Sequence, residues 1–204
     1  MASQVTIAND ALSALGQERI MAFDENNDRA RLATEHYPGS RDHVLESMEM
    51  KGTITRASLP LLTSTPLFGF ANQFQLPADF IKLKDPELLS ERFRIEGDKY
   101  LTDSDIANVE YIRRETDVNL FGELVRNAIG FKLAEKMCLP LTKDRQLRRD
   151  IKALYEDALA EAQLQDMRQG PIDQLGSSDW LQGREGVEPI ADKIEPGRDP
   201  NIPV

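Results

Sequence analysis

The stretch "FANQFQLPADFIKL", residues 70–83, decides how this chain is read. Phe70, Phe74, Leu76, Phe80, Ile81 and Leu83 crowd into it. That aromatic and aliphatic density suits a pleated, half-buried surface better than a helix. Pro77 interrupts the run. A proline has no N–H to give to a strand ladder, so Leu76-Pro77 marks where one strand stops and the chain bends into the next. The stretch therefore predicts strands near 72–76 and 79–84.

Outward from it the β pattern continues. A piece near 53–59 favours a strand, and in "RFRIEGDKYLT" the pair Gly97-Asp98 can turn a hairpin between 92–96 and 99–102. "VEYIRRE" adds another strand, so residues 52–116 are expected to form a small β subdomain. Helical spacing flanks it on both sides. Ser3 can cap a short helix with Val5, Ala8, Leu12 and Leu15 on one face, and Gly16 is placed to end it in the left-handed conformation. Asn27 or Asp28 opens a longer pattern in which Ala30, Ala33, Tyr37, Arg41, Val44, Leu45 and Met48 keep one face across Pro38-Gly39. That implies a kinked helix or two abutting ones. These N-terminal helices occupy residues 1–51.

After the insert, Asp117 is expected to cap a helix whose stripe Phe121, Leu124, Val125, Ala128, Ile129, Phe131 and Leu133 is broad enough to be covered on more than one side. Leu139-Pro140 is expected to end it. Thr142 should start a last helix with Leu147, Ile151, Leu154, Ala158 and Ala162 inward, completing an antiparallel hairpin over 117–169. The fold class that follows is α+β, mainly α: a helical bundle with an inserted β subdomain and an extended C-terminal arm. Of 12 Gly and 11 Pro in the chain, five of each fall in residues 170–204. No long regular element is expected there, yet Leu175, Trp180, Leu181, Ile190 and Ile194 are spaced along it as possible anchors for a partner.

The chain has 204 residues, a formal charge of −10, 40% hydrophobic residues and one cysteine. Such a length suits one domain with an appendage. The start, "MASQVTIAND", lacks the basic and apolar regions of a signal peptide, and no run is long enough for a bilayer span, so the expectation is a soluble protein of a cytosol-like compartment, with no membrane partner. Cys138 sits in the apolar run "FKLAEKMCLP" and reads as a small buried hydrophobe. The acidic surplus argues against a surface that grips phosphates.

Candidate chemistry is thin. Asp24, Asn26, Asp28 and Glu35 match ligand positions of a calcium-binding EF-hand loop, but Arg29 stands where the sharp turn requires Gly, and Arg31 opposes a cation. A polar loop running into a capped helix accounts for the same residues. His36 and His43 could share a helical face, with no third metal ligand in register. Glu156, Asp157 and Glu161 read as a charged helix exterior, and "RQLRRDIK", residues 145–152, as a salt-bridged face. No catalytic residue, cofactor or metal site is assigned. A small metal-dependent helical enzyme and a regulatory or binding module are readings that these residues leave open.

Taken in order, "IANDALSALGQERI", "RARLATEHYPGSRDHVLESM", "FANQFQLPADFIKL", "YIRRETDVNLF" and "ALYEDALAEAQLQD" resemble the tubular tail protein A family, the head-to-tail adaptors of short-tailed bacteriophages. The likeness runs from about residue 4 to residue 169. Its most specific pieces are Asn9, Ala11, Leu12, Leu15 and Gly16, and then Gln75, Leu76, Pro77, Ala78 and Asp79. Where family members carry a Trp and an apolar residue after the second helix, this chain has "MEMKG", residues 48–52, so Met48 or Met50 is expected to fill that gap. The resemblance implies a homo-oligomeric ring, a dodecamer, in the virion tail below the portal, assembled in the host cytoplasm. It implies partners in the portal ring and a nozzle of the tubular tail protein B type, with DNA passing through without specific binding. Acidic residues facing the lumen would let the genome slide.

Overall fold

The computed structural model describes residues 3–84 and 91–168. The arm residues Leu175, Trp180, Leu181, Ile190 and Ile194 lie outside them. Its elements are α1 (Gln4–Ala14), α2 (Asp28–Ser47), β1 (Ile54–Ser58), β2 (Asn72–Gln75), β3 (Phe80–Leu83), β4 (Phe93–Glu96), β5 (Lys99–Thr102), β6 (Asn108–Arg113), α3 (Glu123–Thr142) and α4 (Arg145–Arg168). The class is α+β and mainly helical, with the strands inserted between α2 and α3. Among the described residues no helix is long and apolar enough to cross a membrane.

The first two helices start on the expected residues, and α1 also stops on its expected one. Ser3 Oγ accepts from the Thr6 N–H at 3.1 Å, and Asn27 Oδ1 accepts from Ala30 N–H at 2.8 Å. Gly16 takes φ +65°, which lets Gln17 N–H reach the Leu12 carbonyl at 2.9 Å and Gly16 N–H reach Ser13 at 3.0 Å, satisfying two carbonyls at the helix end. Pro38 lies inside one helix rather than between two. Ala33, Tyr37, Ser40, Arg41 and Val44 are buried on both sides of it, so packing holds the two halves together.

Three expected helix boundaries are corrected. Asp117 caps only the single 3-10 turn Val118–Leu120, accepting from Asn119 N–H at 2.9 Å. Phe121 then takes an extended backbone as its ring turns into the core, and α3 begins only at Glu123. Nor does Pro140 end that helix. A proline this close to the C-terminus costs one hydrogen bond and leaves later N–H groups free to bond backward. Lys143 N–H reaches Leu139 O at 3.1 Å in the left-handed conformation, φ 56°, and the Thr142 hydroxyl reaches Cys138 O at 2.7 Å. Thr142 thus closes α3, and Asp144 opens α4, its carboxylate accepting from Gln146 and Leu147 N–H at 2.8 and 3.0 Å.

α3 packs against both α1 and α2, which meet each other far less. That is why its apolar stripe is broad: Val125, Ala128, Ile129, Leu133, Ala134, Met137 and Cys138 are all buried. Met48 and Met50 both fill this core. α4 lays Ile151, Tyr155, Ala158 and Ala162 on it. Leu154, expected inward, is instead 46% exposed. The inward positions step by four, three and four residues from Ile151, and Leu154 sits one residue off that line, about 100° around the helix.

The strands form two antiparallel three-stranded sheets, ordered β1-β6-β3 and β2-β5-β4. Consecutive strands β2 and β3 belong to different sheets, so Leu76-Pro77 is where the chain changes sheets. Gly97, φ +62°, turns the β4–β5 hairpin with Glu96 opposite Lys99. A second core gathers Leu59, Phe74, Leu76, Leu83, Tyr100, Ala107, Val109 and Tyr111. Burying Phe74 there contributes about 2 kcal/mol.

Candidate functional site

The residues singled out at the two ends of the sequence pattern do mechanical work in separate cores. In the bundle, Leu12 and Leu15 are buried, while the Asn9 amide brackets the backbone of Ile20. Its Nδ2 donates to Ile20 O at 2.9 Å and its Oδ1 accepts from Ile20 N–H at 2.8 Å. One side chain thereby pins the α1–α2 connection as a strand partner would, and Ile20 is driven into the core.

In the β subdomain, Gln75 and Leu76 clasp the β4–β5 turn. Gln75 Nε2 donates to Asp98 O at 3.1 Å and Oδ2 at 3.0 Å, and Leu76 N–H donates to Asp98 O at 2.9 Å. The Gln75 hydrogen bond holds the Asp98 carboxyl below the usual range. Past Pro77, the carboxylate of Asp79 accepts from the Tyr111 hydroxyl at 3.1 Å and its carbonyl from Arg114 N–H at 2.6 Å. Burial, and then that bond to Asp79, pushes the Tyr111 phenol up. Arg114 Nε continues to Asp42 Oδ2 at 2.9 Å, and Asp42 Oδ1 accepts from the buried Arg41 at 2.9 and 2.7 Å. Residues 75–79 are thus a joint that ties both sheets to α2.

A polar pillar stands where α2, α3 and α4 meet. Glu135 is only 8% exposed and accepts from Lys132 Nζ at 3.0 Å and Arg148 Nη2 at 3.5 Å. Burial alone would raise its carboxyl, but the Lys132 hydrogen bond and charge, with Arg148 and Lys152, hold it below the usual range. Lys132 Nζ also lies 4.8 Å from the centre of the Tyr155 ring, which faces His43 at 6.1 Å. Burial and the nearby Lys132 and Lys136 charges lower the His43 imidazole. Glu135 reaches Arg148 and Lys132 reaches the Tyr155 ring across the boundary between α3 and α4, contacts that help fix the packing of the two helices.

Of the EF-hand positions, Asp28 is drawn to Arg31 and the other three meet only around an open recess. Glu25, between them, organises the loop: its carboxylate accepts from Met21 N–H, from Ala22 N–H at 3.0 Å and from Asn27 Nδ2 at 2.7 Å. Those backbone bonds keep the Glu25 carboxyl below the usual range. Arg31 takes Asp28 at 2.5 Å, while Asp24, Asn26 and Glu35 line an open recess of about 470 Å3. Among the described residues no group of three His, Cys, Asp or Glu could hold a metal ion. His36 is half-buried and His43 exposed. Cys138 is buried, its Sγ 3.4 Å from Thr142 Oγ1.

Sequence reasoning missed the β1–β2 connection, "LPLLTSTPLFGFA", residues 59–71. Leu67 is 97% exposed and Phe68 85%. The base beneath them is firmly bonded. Leu62 N–H donates to Gln73 O at 2.9 Å, Gln75 N–H to Pro60 O at 3.0 Å, and Gln73 Nε2 to Ser64 O at 2.8 Å. On the returning limb, Ala71 N–H meets Asp103 Oδ1 at 3.0 Å and the Arg92 guanidinium covers the Phe70 ring at 4.6 Å. The signal was present: Leu67 and Phe68 stand side by side directly after Pro66, with no strand alternation. No family model matches the chain, and no curated protein matches it either.

Proposed function

We propose that the chain is a structural head-to-tail adaptor of a short-tailed phage virion, a ring of twelve copies that joins the portal to the tail nozzle and continues the DNA channel. What supports this role, beside the resemblance, is the Leu67-Phe68 knob, an apolar pair presented to solvent on a hydrogen-bonded base. Contiguous exposed apolar groups on a fixed loop are the anchors from which protein interfaces are built. Helices α3 and α4 form the ring body, the β subdomain supplies a second interface through its knob, and the arm carrying Trp180 and Leu181 grips the portal or the adjacent subunit. The test is electron microscopy of the purified chain mixed with a cognate portal. Stacked rings are expected; persistent monomers beside intact portals overturn the proposal.

A further inference from the structure

Two sides of the helical bundle carry opposite charges that nothing in the described residues meets. On one side, the open recess of about 470 Å3 at the start of α2 is lined by Phe23, Asp24 and Glu35. Asp24 and Glu35 are exposed, and their carboxylates make no ion pair or hydrogen bond among the described residues. The other charges of the lining are committed, Arg31 to Asp28 and Glu25 to the loop backbone. On the other side, Arg145 and Arg149 stand one turn apart at the start of α4, exposed and equally without a partner among the described residues. The acids beside them are engaged within the helix. Asp144 accepts from the N–H groups of Gln146 and Leu147, and Asp150 from the Gln146 amide.

The bundle sets these two surfaces at one height and turns them away from each other. Lys136 Nζ of α3 lies against Gly39 of α2, and further along both helices Lys132 and His43 meet the same Tyr155 ring, so α2 and α3 run antiparallel. Glu135 reaches Arg148 while Lys132 reaches Tyr155, so α3 and α4 are antiparallel as well. Helices α2 and α4 therefore start at the same end. Arg145 and Arg149 come ten and six residues before Tyr155, and the same steps back from His43 reach Ala33 and Tyr37, on either side of Glu35. At about 100° per residue, Arg31 and Thr34 in the recess lie about 120° and 180° around α2 from His43, whose ring meets α4. Arg149 lies about 180° around α4 from the buried Ala158.

We propose that the basic start of α4 in one copy docks in the acidic recess of the next, as the head-to-tail contact of the ring. Arg149 pairs with Glu35 of the neighbouring copy and Arg145 with its Asp24, while a guanidinium covers the Phe23 ring, which favours a cation over its face. This contact deepens the adaptor reading and rests on it. A chain with a formal charge of −10 repels its own copies, so a ring needs opposite charges where neighbours touch. Two different surfaces on the two sides of one subunit give a heterologous interface, the kind that closes rings.

The test uses the full chain mixed with a cognate portal, imaged by electron microscopy. Arg145→Glu with Arg149→Glu makes both surfaces acidic, and Asp24→Arg with Glu35→Arg makes both basic. Each variant should lower the fraction of portals bearing a ring by about tenfold or more, because attraction becomes repulsion. An equimolar mixture of the two should restore the rings, since alternating copies place opposite charges at every contact. Arg149→Cys with Glu35→Cys in one chain, treated on the portal with a bismaleimide as long as an arginine–carboxylate pair, should give a ladder of linked species beyond two copies. Neither single variant should exceed two, and Cys138 is buried. Circular dichroism shows which charge variants fold, and the cross-linking decides if either does not. Full ring occupancy by a folded charge variant, a mixture no better than its parts, or rings that yield no ladder overturn the contact and leave the adaptor reading standing. A parent chain that forms no ring on the portal removes both.

Discussion

At the scale of single residues, the side chains that matter most are polar ones doing backbone work. Asn9 answers both the N–H and the carbonyl of Ile20, so Asn9→Leu leaves two partly buried groups unpaired. Such a loss costs about 1–3 kcal/mol, and urea denaturation should show it as a lowered midpoint with an unchanged slope. His43 and Glu135 both contribute to the acid limb of stability. The His43 imidazole is depressed below 6.5, first by burial and then by Lys132 and Lys136, so the unfolded chain takes up its proton first. Its contribution is present above pH 6.5 and fades as the pH falls through the lower folded value. Glu135 acts likewise below its ordinary value of 4.5. The urea midpoint should therefore decline on acidification, with His43→Gln flattening the upper part of the decline and Glu135→Gln the lower. A midpoint that does not move between neutral pH and pH 4.5 would contradict the His43 assignment, and one that moves no further below pH 4.5 the Glu135 assignment.

At the scale of elements, helix faces and strand positions were readable, and helix ends and sheet partners less so. Ser3, Asn27 and Gly16 act within a few residues of themselves, so their roles follow from local chemistry. Asp117 misled for a tertiary reason, since Phe121 leaves the helical path to enter the core, and Pro140 for a local one, since α3 keeps bonding past its proline to reach Lys143. On α4, Tyr155 rather than Leu154 faces inward because its ring spans the space between Lys132 and His43. Ile151→Ala should cost about 2–4 kcal/mol, the loss of a buried aliphatic group plus its cavity. Leu154→Ala should change stability by less than about 0.5 kcal/mol, as exposed positions do. Equal losses in thermal melts of the two variants would place the register of α4 wrongly. In the hairpin, Gly97→Ala forces a side chain into φ +62° and should cost about 1 kcal/mol.

At the scale of the whole molecule, the bundle and the β subdomain are joined through Asp79, Arg114, Asp42 and Arg41, and the surface they leave carries the exposed knob of the β1–β2 loop. Leu67→Asp with Phe68→Asp should leave the melting temperature within a degree or two of the parent, since neither side chain is buried, while abolishing any contact with a nozzle ring. A chain ending at residue 169 should stay folded and join portal rings poorly, measured by co-sedimentation; normal incorporation would remove the arm from the interface. The sequence by itself determined the mainly helical α+β class, the place of the insert, the β4–β5 turn and most inward positions, because periodicity, caps and turn residues act over a few neighbours. Only the tertiary structure decided that Leu76-Pro77 passes the chain from one sheet to the other, that Asn9 holds Ile20, and that Leu67 and Phe68 stay in solvent. Those outcomes depend on contacts between residues distant in the chain, for which no local pattern carries the energy.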